Sequence, residues 1–409
     1  MKRRLRSKGD ILHLRCACHI INLVVRDGIY EIEDRIEAIW HCVKFIRSSS
    51  SRLDKFRDFS VLEPLSNTAN VPLYVITRWN STYLMLAAAL KYEKVFERMG
   101  YEDDAFKKYF DETDAKTKKK RAGAPSSQDW RNAQAFVHFL GKFYEATMKL
   151  SAWKKVTAHL LFSELIGLQT KIDSKMNDDR DPILQRVACG MKDKFDKYWG
   201  SFEQMNKIIV IANVLDPRWK LQYQKKAFAK VGSSPIRVAT ITSELKGILM
   251  MMYDEYRRSD AAFSQTTPVD GSQPMEEVEF QGVDGGQAEI LADLMQERMD
   301  EQNEMISNEV DKYLADRYVH PLTPGFDGTA WWKVNANAYL VLSKLAKDVF
   351  SIPCSTVASE NAFSLGKRVV DPYRSSLTPK MVECLVCSSD SLRDTTPNFY
   401  KEPTVAELE

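Results

Sequence analysis

Hydrophobic periodicity constrains this chain most, because it is helical over most of the length. Residues Ala338, Val341, Leu342, Leu345, Ala346 and Val349 recur at i, i+3, i+4, i+7, i+8 and i+11. That spacing lays one apolar stripe along a helix and demands a surface to bury it. Ile32, Ile36, Ile39, Val43 and Ile46 repeat the pattern with charges between them, in an amphipathic helix read over 31–59. From Thr82 onward the helical spacing continues through residues 83–99, 130–150, 157–176, 183–202 and 237–257. Strand signals are few: alternating residues 11–16, the run 73–76, and the apolar run 208–215 that ends at Asp216-Pro217.

Composition narrows the class further. With 409 residues, 44% of them apolar, the chain can bury a sizeable core and supports two or three structural units. Its 58 basic and 56 acidic residues give a net charge of +2, so any nucleic-acid contact must come from local patches. Seven scattered cysteines fit a reducing compartment better than a disulfide framework. No run approaches the roughly 18 apolar residues of a membrane span. The basic start, MKRRLRSKGD, lacks the apolar stretch of a secretory signal and reads as a solvated tail or a nuclear import signal. A soluble intracellular protein is expected.

Several segments carry candidate chemistry. Residues 18–25, CHIINLVV, turn helical and are expected to stop at Asp27-Gly28. Cys16 and His19 form a Cys-x-x-His pair, half of a tetrahedral zinc set; a core histidine beside inert thiols explains the pair equally well. Arg78-Trp79 pairs a cation with a ring, which suits either a phosphate clamp with a stacking face or a core Trp under a surface Arg. Asp216 precedes Pro217 and reads as a helix stop and cap rather than an acid catalyst. Trp331-Trp332 are expected to begin the striped helix. Residues 352–379 read IPCSTVASENAFSLGKRVVDPYRSSLTP, with Ser355 and Thr356 placed to cap a helix bearing Glu360 and Phe363. Thr378 and Pro379 open a last helix, whose Cys384-x-x-Cys387 reads as packed thiols rather than a metal pair.

The order of these segments closely resembles hAT-family transposases, above all the plant, BED-finger, sleeper-type domesticated branch. The resemblance rests on RCACHIINLVV, Thr77-Arg78-Trp79-Asn80-Ser81, Leu215-Asp216-Pro217-Arg218-Trp219-Lys220, Trp331-Trp332-Lys333 and the block around Ser359-Glu360-Asn361. It covers about residues 15–393. It implies that Glu360 is the third acid of an RNase H-like Asp, Asp, Glu triad, that His19 sits near the active centre, and that Arg78 and Trp79 contact DNA. It further implies a C-terminal dimerisation region, to which Trp331, Trp332, Leu342, Leu345, Val349, Phe363 and Leu385 are assigned.

In that family the first two acids precede the Cys-x-x-His element. Here Asp10 alone does so, and its Ser7-Lys8-Gly9-Asp10 setting does not match Asp-Asn-Ala-x-x-Asn. Two-metal phosphoryl transfer needs several converging carboxylates. The expectation is therefore a protein that is not an enzyme and holds no cofactor, with Mg²⁺ only where an intact triad existed. The fold expected is mainly α, with a truncated RNase H-like α/β core interrupted by a large all-α insertion. The domains are 1–81, the strand-helix part of the split core; 82–257, the helical insertion; 258–287, an acidic linker; 288–393, the dimerisation region with the remnant catalytic helix; and 394–409, a tail. Partners are DNA and a second copy or a related hAT protein, in the nucleus, with no membrane and no small-molecule substrate. Two other readings stand beside it. One is a fragment of an active transposase whose upstream exons are missing, and the other is a purely structural helical scaffold.

Overall fold

The structure is a computed structural model, and it describes residues 14–63, 79–113, 121, 123–152, 155–266, 309–356 and 378–392. Residues 11–13 of the strand expected at 11–16, all of that at 73–76, residues 267–287 of the acidic linker expected at 258–287, and the tail lie outside these residues, as do Arg78, Glu360 and Phe363. Residues 14–16 form no strand, and 258–266 continue the helix Pro235–Thr266 rather than opening a linker. Among the described residues the regular structure is helical and contains no strand. The chain divides into two compact units, one made of Met1–Leu14, Val156–Ser163 and Met205–Pro353, the other of Arg15–Lys155, Glu164–Gln204 and Cys354–Glu409.

The second unit begins with α1 (Ala17–Tyr30), α2 (Glu33–Arg47) and α3 (Ser50–Val61). α1 does not stop at Gly28 as its sequence suggested. A Cβ at Gly28 would lie 2.6 Å from Met191 Cγ, so the missing side chain admits α9 (Pro182–Trp199) into close contact. Tertiary packing there outweighs the helix-breaking tendency of glycine, which is worth about 1 kcal/mol. The amphipathic stretch 31–59 divides at Ser48-Ser49, where Ser49 turns extended and its hydroxyl accepts the Arg52 N–H at 3.3 Å.

α4 (Trp79–Ala89) opens earlier than expected and passes through a 3₁₀ turn into α5 (Glu93–Glu102), followed by α6 (Asp104–Asp111). α7 (Ser127–Leu150) starts on a capping box between Ser126 and Asp129. Around these helices Phe45, Phe96, Phe106, Phe136, Phe139, Phe143 and Trp130 are at most 2% exposed and fill an aromatic core. α16 (Pro379–Leu392) is the last helix of this unit.

α8 (Ala158–Met176) has its first residues, to Ser163, in the other unit. That unit continues with α10 (Lys207–Val214), α11 (Lys220–Lys230), α12 (Pro235–Thr266), α13 (Glu309–Ala315), α14 (Gly328–Val334) and α15 (Leu342–Phe350). The run 208–215 is helix rather than strand. Every residue from Ile208 to Val214 is buried, including Asn213, whose amide donates to the His159 carbonyl at 2.8 Å. The run therefore shows no solvent-facing side, and a mostly apolar stretch of that length suits a buried helix as well as a buried strand. The Asn206 side chain accepts the Ile208 N–H at 3.0 Å and decides for helix. The stripe beginning at Ala338 is shorter than expected. α14 ends at Val334, turns intervene, and only Leu342–Phe350 is helical, with Ala338 exposed.

Candidate functional site

Cys16 stands at the N-cap of α1 without capping it through its side chain. An N-terminus leaves backbone N–H groups without helical partners. One is answered from far along the chain: Ala17 N–H donates to the Cys354 carbonyl at 2.8 Å. In return Cys16 Sγ accepts the Thr356 N–H at 3.3 Å. The Cys-x-x-His element is thus tied to residues 354–356, four residues before Glu360 in the sequence. Cys354 is 1% exposed, Cys18 is buried with Sγ 3.9 Å from the Thr147 carbonyl of α7, and His19 faces outward. The contacts of Cys354 and Thr356 were invisible in sequence, because no local signal joins positions so far apart.

Trp79 needs a correction. Its indole is 3% exposed and its ring lies 6.3 Å from that of Tyr83, which stacks on Tyr144 at 4.8 Å. It is a core tryptophan in this structure and presents no open face for a base.

A second motif cluster lies in the other unit. Asp216 is fully buried; Oδ1 accepts from the Arg218 backbone N–H and Nε at 3.0 Å each, and Oδ2 from Nη2 at 2.6 Å. Its backbone carbonyl accepts the N–H groups of Trp219 and Lys220 at 2.9 and 3.1 Å. The carboxylate is fully engaged in turning the chain after α10, which matches its reading as a stop. His159 Nε2 lies 4.0 Å from Oδ2, and burial pulls the His159 pKa down.

Lys220 has φ of 42°, a left-handed conformation that few side chains adopt. Its ammonium, 1% exposed, donates to the carbonyls of Tyr313, Asp316 and Arg317 at the C-terminal end of α13, where a cation complements the helix dipole. Burial lowers its pKa to about 8. Trp332 Nε1 donates to the Leu215 carbonyl at 2.9 Å, Tyr313 to Val214 at 3.0 Å, and Tyr339 bonds Asp316. Glu309 is 2% exposed and accepts the N–H groups that open α15, those of Val341 and Leu342.

Most residues assigned to dimerisation are therefore spent inside the chain. Trp332 is 2% exposed, Leu342, Leu345 and Val349 are 0% exposed, and Trp331 is half-buried against Trp332 and Tyr339. These residues pack within one protomer because the stripe finds its partner in α10 and α12. Leu385 differs: on α16 it is 42% exposed, and Met381 is 51% exposed. Among the described residues no three His, Cys, Asp or Glu side chains gather to hold a metal ion, and no helix is long and apolar enough to cross a membrane.

Three family models match the chain. The hAT family C-terminal dimerisation region covers residues 309–392, the ZBED1 RNase-like helical domain 14–139, and the hAT-like transposase RNase-H fold 159–256. Among similar proteins, "Zinc finger BED domain-containing protein RICESLEEPER 2" of Oryza sativa subsp. japonica is 31% identical over 399 residues, which is 96% of this chain and 52% of the relative. "Putative AC transposase" of Zea mays is 30% identical over 98% of this chain and 47% of its own length. "Zinc finger BED domain-containing protein DAYSLEEPER" of Arabidopsis thaliana is 29% identical over 78% of this chain and 40% of its own length. The chain spans about half the length of the curated relatives it matches. With the Cys-x-x-His element bonded to the segment that leads to Glu360, and with family matches at both ends and between them, the chain belongs to the hAT transposase family.

Proposed function

We propose that this chain is the scaffold and self-association part of a hAT transposase-derived nuclear protein, which dimerises through its C-terminal region, acts with DNA, and does not by itself cut strands. The observation that carries this reading is the exposed apolar face of α16, Met381 and Leu385, inside the region matched as a dimerisation region. An amphipathic helix leaves such a face uncovered only at a cost of roughly 25 cal/mol per Å², which a second copy removes. Sedimentation of the full chain tests it: a dimer at micromolar concentration that Leu385→Ser and Met381→Ser convert to monomer supports the reading, and a monomer at every concentration refutes it.

DNA contact is assigned to Arg78, with Trp79 withdrawn on account of its burial, and His19 keeps its reading as a residue near the catalytic centre. Binding by the full chain that falls as salt rises, and weakens in Arg78→Ala, is the expected result. Nuclear localisation rests on the transposase-related names of the relatives and on the basic start.

The second reading is part of an active transposase, favoured by the likeness to a protein named as a transposase and by the placement of residues 354–356 beside Cys16. Strand cleavage by these 409 residues with Mg²⁺ or Mn²⁺, abolished by Glu360→Gln, decides for it.

A further inference from the structure

The segment between α13 and α14 is pinned at two points to neighbouring positions of the chain. The Val319 N–H donates to the Pro217 carbonyl at 3.2 Å, and the Phe326 ring centre lies 4.5 Å from the guanidinium carbon of Arg218. Between those anchors every residue from His320 to Gly325 is exposed, Leu322 by 81%. Gly325, with φ of 64°, turns the chain back toward Phe326. A loop whose ends are held together while its middle stands in solvent is a compact Ω-type arch, open to other proteins.

Inside the arch, His320 holds one turn. Its carbonyl accepts the Thr323 N–H at 3.0 Å and the Thr323 hydroxyl at 2.7 Å, and its Nδ1 accepts the Leu322 N–H at 3.2 Å. All three residues are exposed, so straightening the turn uncovers nothing that the core depends on. Pro324 biases Thr323 toward extended backbone, and Pro321 fixes its own φ two residues earlier. Straightened, the arch presents Pro321-Leu322-Thr323-Pro324 as a hydroxyl between two proline rings.

Five Ser-Pro or Thr-Pro pairs occur in the sequence, and only that of Thr323 has a second proline two residues before the hydroxyl. Thr267 and Thr396 lie outside the described residues. The remaining two hydroxyls are engaged at helix starts: Ser234 accepts the Arg237 N–H at 3.3 Å and Thr378 the Met381 N–H at 3.4 Å, and in each the proline opens the helix. Among the described pairs, Thr323 alone lies away from a helix cap.

We propose that Thr323 is a phosphorylation site for a proline-directed protein kinase, one whose substrate channel takes a proline directly after the acceptor and another two residues before it. Thr323 Oγ attacks the γ-phosphorus of ATP and the bond from that phosphorus to the β–γ bridging oxygen breaks. ADP leaves, and the hydroxyl proton passes to the catalytic base of the kinase. The phosphate adds about −1.5 to −2 charges at neutral pH, and the ester oxygen no longer donates to the His320 carbonyl, so modification opens the turn. The inference goes beyond the self-association and DNA readings and depends on neither.

The test incubates the full folded chain with Mg²⁺, ATP and a purified kinase of the mitogen-activated class, and maps phosphate by peptide mass. Reductant is present throughout, because Cys384 and Cys387 are exposed on α16 rather than packed as their spacing suggested. Thr323 is expected to carry most of the phosphate, approaching about one per chain. Thr323→Ala should remove it, Pro324→Ala should slow it at least about tenfold, and Ser234→Ala and Thr378→Ala should leave it unchanged. Thr323→Ser keeps the hydroxyl and should remain an acceptor. Phosphate on other residues with Thr323 bare overturns the proposal. So does labelling of Thr323 in tryptic peptides but not in the intact chain, or a rate indifferent to Pro324→Ala.

Discussion

α15 and α16 both lie in the region matched to hAT dimerisation and both carry apolar residues at helical spacing, but they meet opposite fates. On α15, Leu342, Leu345 and Val349 are wholly buried and Glu309 caps the helix. On α16, Met381 and Leu385 remain open. An apolar stripe states that a partner is required; whether that partner is the chain's own core or another chain depends on what else is packed nearby.

Substitutions separate the two helices, beginning where the effect should be largest. Leu345→Ala should lower unfolding stability by about 2–5 kcal/mol in urea denaturation, because it opens a cavity in a closed core. A loss below about 1 kcal/mol would place α15 among the uncommitted surfaces. Lys220→Met should cost on the order of 1–3 kcal/mol at neutral pH by leaving the last carbonyls of α13 without their donor. It should also change the pH profile. The Lys220 pKa is lowered from 10.5 to about 8, so between those values the unfolded chain holds the extra proton and native stability rises with pH. The gap between wild type and Lys220→Met should therefore widen from about pH 8 to about pH 10.5, and a constant gap would refute the lowered pKa.

Gly28→Val should cost about 1–3 kcal/mol by driving a side chain into Met191, with part of the loss recovered in combination with Met191→Ala. Leu385→Ala should move folding stability by no more than about 0.5 kcal/mol while weakening self-association. Should it destabilise as Leu345→Ala does, the contrast between the helices disappears. His19→Ala is expected to have the smallest effect on thermal unfolding, also within about 0.5 kcal/mol, since the imidazole faces outward.

Much of this arrangement could be read from residue patterns. Helical dominance, the boundaries near 127–150 and 158–176, and Asp216 as a chain-turning residue follow from periodicity and from the residue before proline. The failures share a physical origin. α10 was ambiguous because a mostly apolar run, buried on every side, shows no amphipathic period. α1 crosses Gly28 because α9 needs the space, a demand that arises from residues more than 150 positions away. Glu309 and Lys220 are ionisable residues held in the interior by distant backbone groups, against the general tendency of such residues to remain solvated. Trp79 could have been core or surface, and only its packing decides.

The bond from Ala17 to Cys354 bears on how the polypeptide matures. Translation delivers α1 more than three hundred residues before its anchor, at roughly 5–20 residues per second. Throughout that interval the opening helix lacks one of its native contacts, and closing so long a loop is entropically slow. Nascent chains should accordingly engage chaperones until Cys354 has been synthesised, and truncations before Cys354 should accumulate as aggregates rather than as smaller folded proteins.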